Sequence, residues 1–181
     1  LTNLPVPVPA QVATGNFMTA ALWNANIYNG MNFLLNPPIF SGYQVGAQSI
    51  AANSWTSLAV DTTIVDSYGG HSNTTNNSRY TAQVAGWYAC SGIISFLSNS
   101  TGFRAGRFLV NATVGIATDT YVQPNAYGGS QTIYGVPTRQ LYLNAGDYVE
   151  LQCWHNSGGA LSTSTGAAET TSAFDVRWVH A

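Results

Sequence analysis

The sequence predicts an all-β domain, an antiparallel sandwich or barrel, preceded by an extended arm that carries one α-helix. Three observations lead there. From about residue 45 onward, short runs of β-branched and aromatic residues alternate with Gly, Asn, Ser and Thr turns, and no long helical pattern interrupts them. Ahead of that point lies one segment with helical spacing of its apolar residues. At 181 residues the chain has room for one domain with a full core plus an extension.

The arm comprises residues 1–44. "LPVPVP" at 4–9 is extended or polyproline-like, because proline locks its own φ and biases the preceding residue away from helix. "TAALWNANIYNGMNFLLNPP" then predicts a helix over about 19–35, with Thr19 as its cap and Pro37 and Pro38 as its stop. Trp23, Ile27, Met31 and Leu34 form its apolar stripe, with Asn24, Asn26, Asn29 and Asn32 interspersed. A helix this short is marginal alone in water, so the stripe packs on its own domain, on sister helices around a threefold axis, or on another protein. We read the region as an attachment or assembly arm.

The domain spans residues 45–181. Its predicted strands are "SWTSLAV" at 54–60, "RYTAQ" at 79–83, "GWYACSGIISFL" at 86–97 and "GRFLVNATVG" at 106–115. They continue with "QTIYGV" at 131–136, "RQLYLN" at 139–144, "DYVELQCW" at 147–154 and "AFDVRWVH" at 173–180. Many short antiparallel strands in so few residues make a jelly roll one of the common solutions.

Composition excludes several functions. Charged residues are 7% of the chain, against about 25% in an average protein, and lysine is absent. Hydrophobic residues at 45% rule out a disordered chain, and the sparse charge suits a surface partly covered by copies of itself, so an oligomer is expected. A net charge of −2 and five arginines scattered over 79–177 provide no basic stripe for nucleic acid. No apolar run reaches the roughly 18 residues of a membrane span, and no positively charged leader resembles a secretory signal. Cys90 and Cys153 lie in the apolar phase of their strands, without CxxC or zinc-ligand spacing, and read as buried free thiols.

Catalysis and cofactors find no support. The chain has no Gly-x-Ser-x-Gly elbow, His-Glu-x-x-His, phosphate loop or recognisable carboxylate pair. Asp61, Asp66 and Asp119 do not form a calcium loop, so no metal ligands are assigned. A non-enzyme without cofactor is the expectation.

Four segments in order, "SWTSLAVDTTIVDSYGGHS", "RYTAQVAGWYACSGIISF", "LYLNAGDYVELQCWHNSGG" and "AFDVRWVHA", resemble the complement/tumour-necrosis-factor-like jelly roll over roughly residues 49–181. The shared features are Trp55 on the first strand, Gly86 with Tyr88 entering a central strand, and the Leu143, Gly146, Asp147, Val149 hairpin near the end. The arm segment "VATGNFMTAALWNANIYNGMNFLLNPP" is similar to the leading segment of bacteriophage structural proteins in which such a jelly roll follows. The resemblance implies a homotrimer located in the virion, and so extracellular as part of the particle. It serves as capsid decoration or as a tail or fibre component, contacting other virion proteins through its arm. The absence of a collagen repeat sets the chain apart from the animal members.

Along 148–154 the side chains divide between two faces. Val149, Leu151 and Cys153 share one; Tyr148, Glu150, Gln152 and Trp154 share the other, which carries two large aromatics and is therefore expected to be covered. With the implied trimer, that second face is the expected oligomer wall. Ligand-binding candidates are Trp154, His155 and Asn156, where a ring and amide suit a sugar but Gly158 and Gly159 equally suit a plain turn. Further candidates are His71 in the polar loop "GGHSNTTNNSR", and Tyr121, Tyr127 and Tyr134 in a loop-rich stretch whose composition resembles binding loops. These support an alternative function, a receptor-binding or glycan-binding adhesin for a host surface. A polysaccharide depolymerase is a third, more distant reading.

Overall fold

The computed structural model describes residues 6–11, 13–15, 17–113, 122–165 and 170–181. In chain order the strands are β1 (Ile39–Tyr43), β2 (Ser49–Ile50), β3 (Thr56–Ser57), β4 (Thr62–Asp66), β5 (Arg79–Thr81), β6 (Gly86–Phe96), β7 (Arg104–Val110), β8 (Thr132–Leu143), β9 (Tyr148–His155), β10 (Leu161–Ser162) and β11 (Ala173–His180). One five-stranded sheet has the order β4-β1-β11-β6-β8. The second is centred on β9, with β7 along one edge and β3 and β5 end to end along the other. The short β2 and β10 pair separately. Every strand pairing in the two sheets is antiparallel.

Period-two alternation aims one side of each strand at the space between the sheets. Tyr88, Cys90, Ile94 and Phe96 of β6 and Phe174 and Val176 of β11 meet Phe108, Val149, Leu151 and Cys153 there. Each fully buried large apolar side chain contributes roughly 1.5–3 kcal/mol. Gly92 is inward-facing because Leu151 from the opposite sheet occupies its side-chain space: a Cβ would lie 2.6 Å from Leu151 Cδ2. Both cysteines are buried and free, as expected, and burial pushes both thiols up to about 12.

Two predicted strands, 131–136 and 139–144, are one strand, β8. Opposite β6 its register shifts between the Cys90/Arg139 and Gly92/Val136 pairs, so Pro137 and Thr138 bulge out where a missing N–H costs no ladder bond. The inward phase passes from Tyr134 and Val136 to Leu141 and Leu143 across that bulge.

The arm helix runs from Ala20 to Leu35, α-helical over Ala20–Trp23 (α1) and Asn29–Leu35 (α2), with a π-helical turn at Asn24–Tyr28 between them. Thr19 caps it, its Oγ1 accepting from the Leu22 N–H at 3.2 Å. Asn26 accepts the Ala10 N–H at 2.6 Å and so ties the proline-rich segment to the helix. The helix ends at Asn36 ahead of Pro37 and Pro38, as expected.

One expectation about the arm is corrected. Residues 39–43, assigned to the arm, form β1, which sits inside the five-stranded sheet between β4 and β11, with Phe40 fully buried. The domain therefore begins before residue 45: the prolines that stop the helix also set up the extended chain that becomes β1. The helix meets the domain through Phe33, a residue outside the apolar stripe. Phe33 enters the core, its ring edge-on to Trp178 at 4.8 Å, while Trp23, Met31 and Leu34 are exposed, Leu34 at 72%, and Ile27 is half-buried.

Candidate functional site

On β9 the second face is covered, but by its own chain. Arg79 of β5 lies over the Tyr148 ring at 4.0 Å, and its Nε donates to Glu150 Oε1 at 3.2 Å, where the Ser78 hydroxyl also donates at 2.6 Å. Arg107 of β7 donates to Gln152 Oε1 at 2.9 Å and covers the Trp55 ring at 4.1 Å, and Gln152 donates onward to Ser57 at 3.2 Å. Trp154 stacks on Phe103 at 5.0 Å and approaches Trp55 at 6.5 Å. This ladder buries Glu150 and Gln152 and half-buries Tyr148 and Trp154. The coverage that pointed to an oligomer wall thus arises within one chain.

The end of β9 is also structural. His155 is fully buried; its Nε2 faces the Ile50 carbonyl at 2.9 Å and so donates, leaving Nδ1 to accept from the Ser157 hydroxyl at 2.9 Å. Burial, reinforced by the nearby Arg104 charge, lowers its pKa below the usual histidine value despite the Ile50 bond. Asn156 Oδ1 accepts the Phe103 N–H at 2.6 Å and packs against Gly102, whose φ of +70° only glycine adopts easily. His155 and Asn156, weighed as ligand candidates against a plain turn, fasten such a turn, and Gly158, with φ +88°, completes it.

Of the candidate tyrosines, Tyr127 and Tyr134 face different surroundings. Tyr121 lies outside the described residues. Tyr127 is 62% exposed on its loop. Tyr134 points inward, donating to the Ala105 carbonyl at 3.0 Å, and burial raises its pKa well above the ordinary tyrosine value.

His71 does join another candidate. Its two ring nitrogens face the carbonyls of Arg79 at 2.7 Å and Val60 at 3.0 Å, which anchors the loop between β4 and β5. The Asp66 carboxylate accepts the Gly70 and His71 N–H groups at 3.1 and 2.8 Å. Beside this loop lies a polar pocket of about 290 Å³ whose wall includes His71, Asn76, Arg79, Thr81, Gln83 and Tyr148.

Sequence reasoning missed two features. Arg104 is fully buried, its guanidinium donating to the carbonyls of Asn99, Thr101 and Phe103 at 3.0–3.1 Å, and desolvation lowers its pKa. No motif marks it. The second feature is the outward face of the five-stranded sheet, where Trp87, Ile93, Ile133, Tyr142 and Val179 are all exposed, Trp87 at 38% and Tyr142 at 49%. Trp87 and Ile93 stand in the outward phase of β6, opposite Tyr88 and Ile94, so alternation alone marks that face.

Among the described residues no cluster of three His, Cys, Asp or Glu side chains is placed to hold a metal ion. Several acids have structural duties. Asp61 accepts the Val45 and Gly46 N–H groups at 2.7 Å, and Asp147 closes the β8–β9 turn through Asn144 and Asn111.

No protein-family model and no curated protein matches the chain. Solved structures match at the level of the fold. Murine APRIL at pH 5.0 is 11% identical with a TM-score of 0.57, covering 77% of this chain and 98% of its own. Murine APRIL at pH 8.0 is 14% identical with a TM-score of 0.55 and the same coverage. Eiger TNF from S. frugiperda is 13% identical with a TM-score of 0.51, covering 80% and 92%. The sandwich is therefore a tumour-necrosis-factor-like jelly roll, preceded by a helical arm.

Proposed function

We propose that this chain is a non-enzymatic structural protein of a bacteriophage virion, a homotrimeric jelly roll held to the particle by its N-terminal arm as capsid decoration or as a tail or fibre component. The observation that carries the trimer is the outward face of the β4-β1-β11-β6-β8 sheet, where Trp87, Ile93, Ile133, Tyr142 and Val179 remain exposed in the single chain. Apolar side chains gathered on one sheet face favour burial against copies of themselves. The exposed Trp23, Met31 and Leu34 stripe supports an arm that engages other virion proteins. The virion assignment itself rests on the resemblance of the arm segment to those of phage structural proteins.

Light scattering coupled to size exclusion tests the trimer at low micromolar concentration. A stable species of three chains is expected; a monomer would overturn the trimeric reading. A second reading, a host-surface adhesin, is favoured by the polar pocket beside the β4–β5 loop. Adsorption of the purified protein to host cells tests it.

A further inference from the structure

We propose that the pocket between the β4–β5 loop and the outer end of β9 binds a single ring of a neutral saccharide. This inference rests on the adhesin reading and names its site.

The wall of the pocket is set before any ligand arrives. Gly70 lies against β5 so closely that a Cβ would sit 2.5 Å from Tyr80 Cε2, and its carbonyl accepts the Thr81 N–H at 2.7 Å. Asp66 and the His71 ring hold the loop at its base, while Ser72 Oγ accepts from the Thr75 N–H at 3.1 Å and shapes its tip. Asn76 turns the chain with φ +50°, and its carbonyl accepts the Arg79 N–H at 3.0 Å. A ligand entering here orders little that is not already ordered, which lowers the entropic cost of binding.

The polar groups facing the pocket suit hydroxyls. Arg79, whose Nε donates to Glu150, lines the pocket and keeps two terminal nitrogens with up to four further N–H donors. Gln83 uses its amide nitrogen on the Thr81 carbonyl, leaving Oε1 as an acceptor. Asn76, Thr75 and Tyr148, each with a polar side-chain group, line the same space. Donors and acceptors gathered on one wall match a sugar ring, where each hydroxyl both gives and accepts a hydrogen bond.

Charge and size narrow the class. Among the described residues, the Arg79 guanidinium is the wall's one permanent cation and is already paired with Glu150, so the site does not balance a phosphate or a polyanion. Tyr148 is the one phenol ring among those residues and Arg79 covers it, so an apolar ligand finds no broad face to pack on. At about 290 Å³ the pocket has room for one ring.

The test is saturation-transfer NMR of the full chain with glucose, galactose, mannose and N-acetylglucosamine at millimolar concentration, together with an array of neutral and acidic glycans. Arg79→Lys keeps a cation opposite Glu150 but removes the fork; Gln83→Ala removes the acceptor. Binding of at least one neutral sugar is expected, weakened tenfold or more in each variant, with far-UV spectrum and native mass unchanged at the assay temperature. Failure of every neutral sugar to bind, binding restricted to acidic glycans, or binding unaffected by both variants would overturn the proposal. Host-cell adsorption measured alongside separates the two ideas: adsorption that persists in Arg79→Lys keeps the adhesin and removes this pocket from it.

Discussion

The two sheets of this sandwich treat their outward faces in opposite ways. On the β9 sheet, large aromatic side chains are roofed by neighbouring side chains: Arg79 over Tyr148, Arg107 over Trp55, and Phe103 stacked on Trp154. On the five-stranded sheet, Trp87 meets His180 at 6.1 Å and Tyr142 edge-on at 5.7 Å, yet Trp87, Ile93, Ile133, Tyr142 and Val179 all remain exposed. The difference lies in the neighbours. The short β3 and β5 flank β9 on one edge and β7 on the other, and Arg79 and Arg107 reach across it from both edges, whereas among the described residues no long polar side chain crosses Trp87 on β6, between β11 and β8. Outward aromatics on a strand therefore do not by themselves mark an interface; the reach of the flanking side chains decides.

The sharpest way to break this comparison is to charge the open face. Trp87→Glu combined with Ile93→Glu is expected to reduce the native mass from three chains to one while the far-UV spectrum stays unchanged. Two carboxylates per chain would have to leave water, unpaired, for the interface to form. A double variant that keeps its full mass would move the interface elsewhere. Trp154→Ala, on the closed face, is expected to leave the mass intact and to lower stability by about 2 kcal/mol through removal of the Phe103 stack, read from urea unfolding. Dissociation of that variant would reverse the assignment of the two faces.

A smaller effect probes the two ends of β9 through pH. Burial keeps the folded-state pKa of His155 below its unfolded value near 6.5, so the stability linked to it is complete above that pH and is lost as pH falls through the folded value. Hydrogen bonds from Asn111 and then Asn144 lower the pKa of Asp147 below 3.8, so its contribution is present above that value and disappears in stronger acid. The thermal midpoint is expected to fall in two windows, the first removed by His155→Gln and the second by Asp147→Asn. A wild-type midpoint flat between pH 7 and 5 would contradict the buried, neutral His155.

Much of the fold was legible in the residues. Alternation placed Val149, Leu151 and Cys153 inside, and continuing it one step places His155 inside as well; stopping the strand at Trp154 left that histidine among the ligand candidates. Thr19 and the Pro37-Pro38 pair bounded the helix closely. The helix's docking face was not legible, because a stripe of Trp23, Ile27, Met31 and Leu34 looks the same whether it meets the domain or faces away, and Phe33, the helix residue buried in the core, lies outside that stripe. The polar pocket was half visible: the loop carrying His71 stood out by composition, but its meeting with Gln83 and Tyr148 depends on pairing between β5 and β9, distant in sequence.

By itself the sequence determined strand phase, helix limits, buried thiols and a surface poor in charge, since these follow from local periodicity, proline geometry and composition. Only the tertiary structure decided which aromatics are roofed, that Arg104 is buried on three backbone carbonyls, and that residues 39–43 belong to the sheet. Those outcomes depend on which strands become neighbours, and a long-range pairing leaves no mark on the local pattern of the segments it joins.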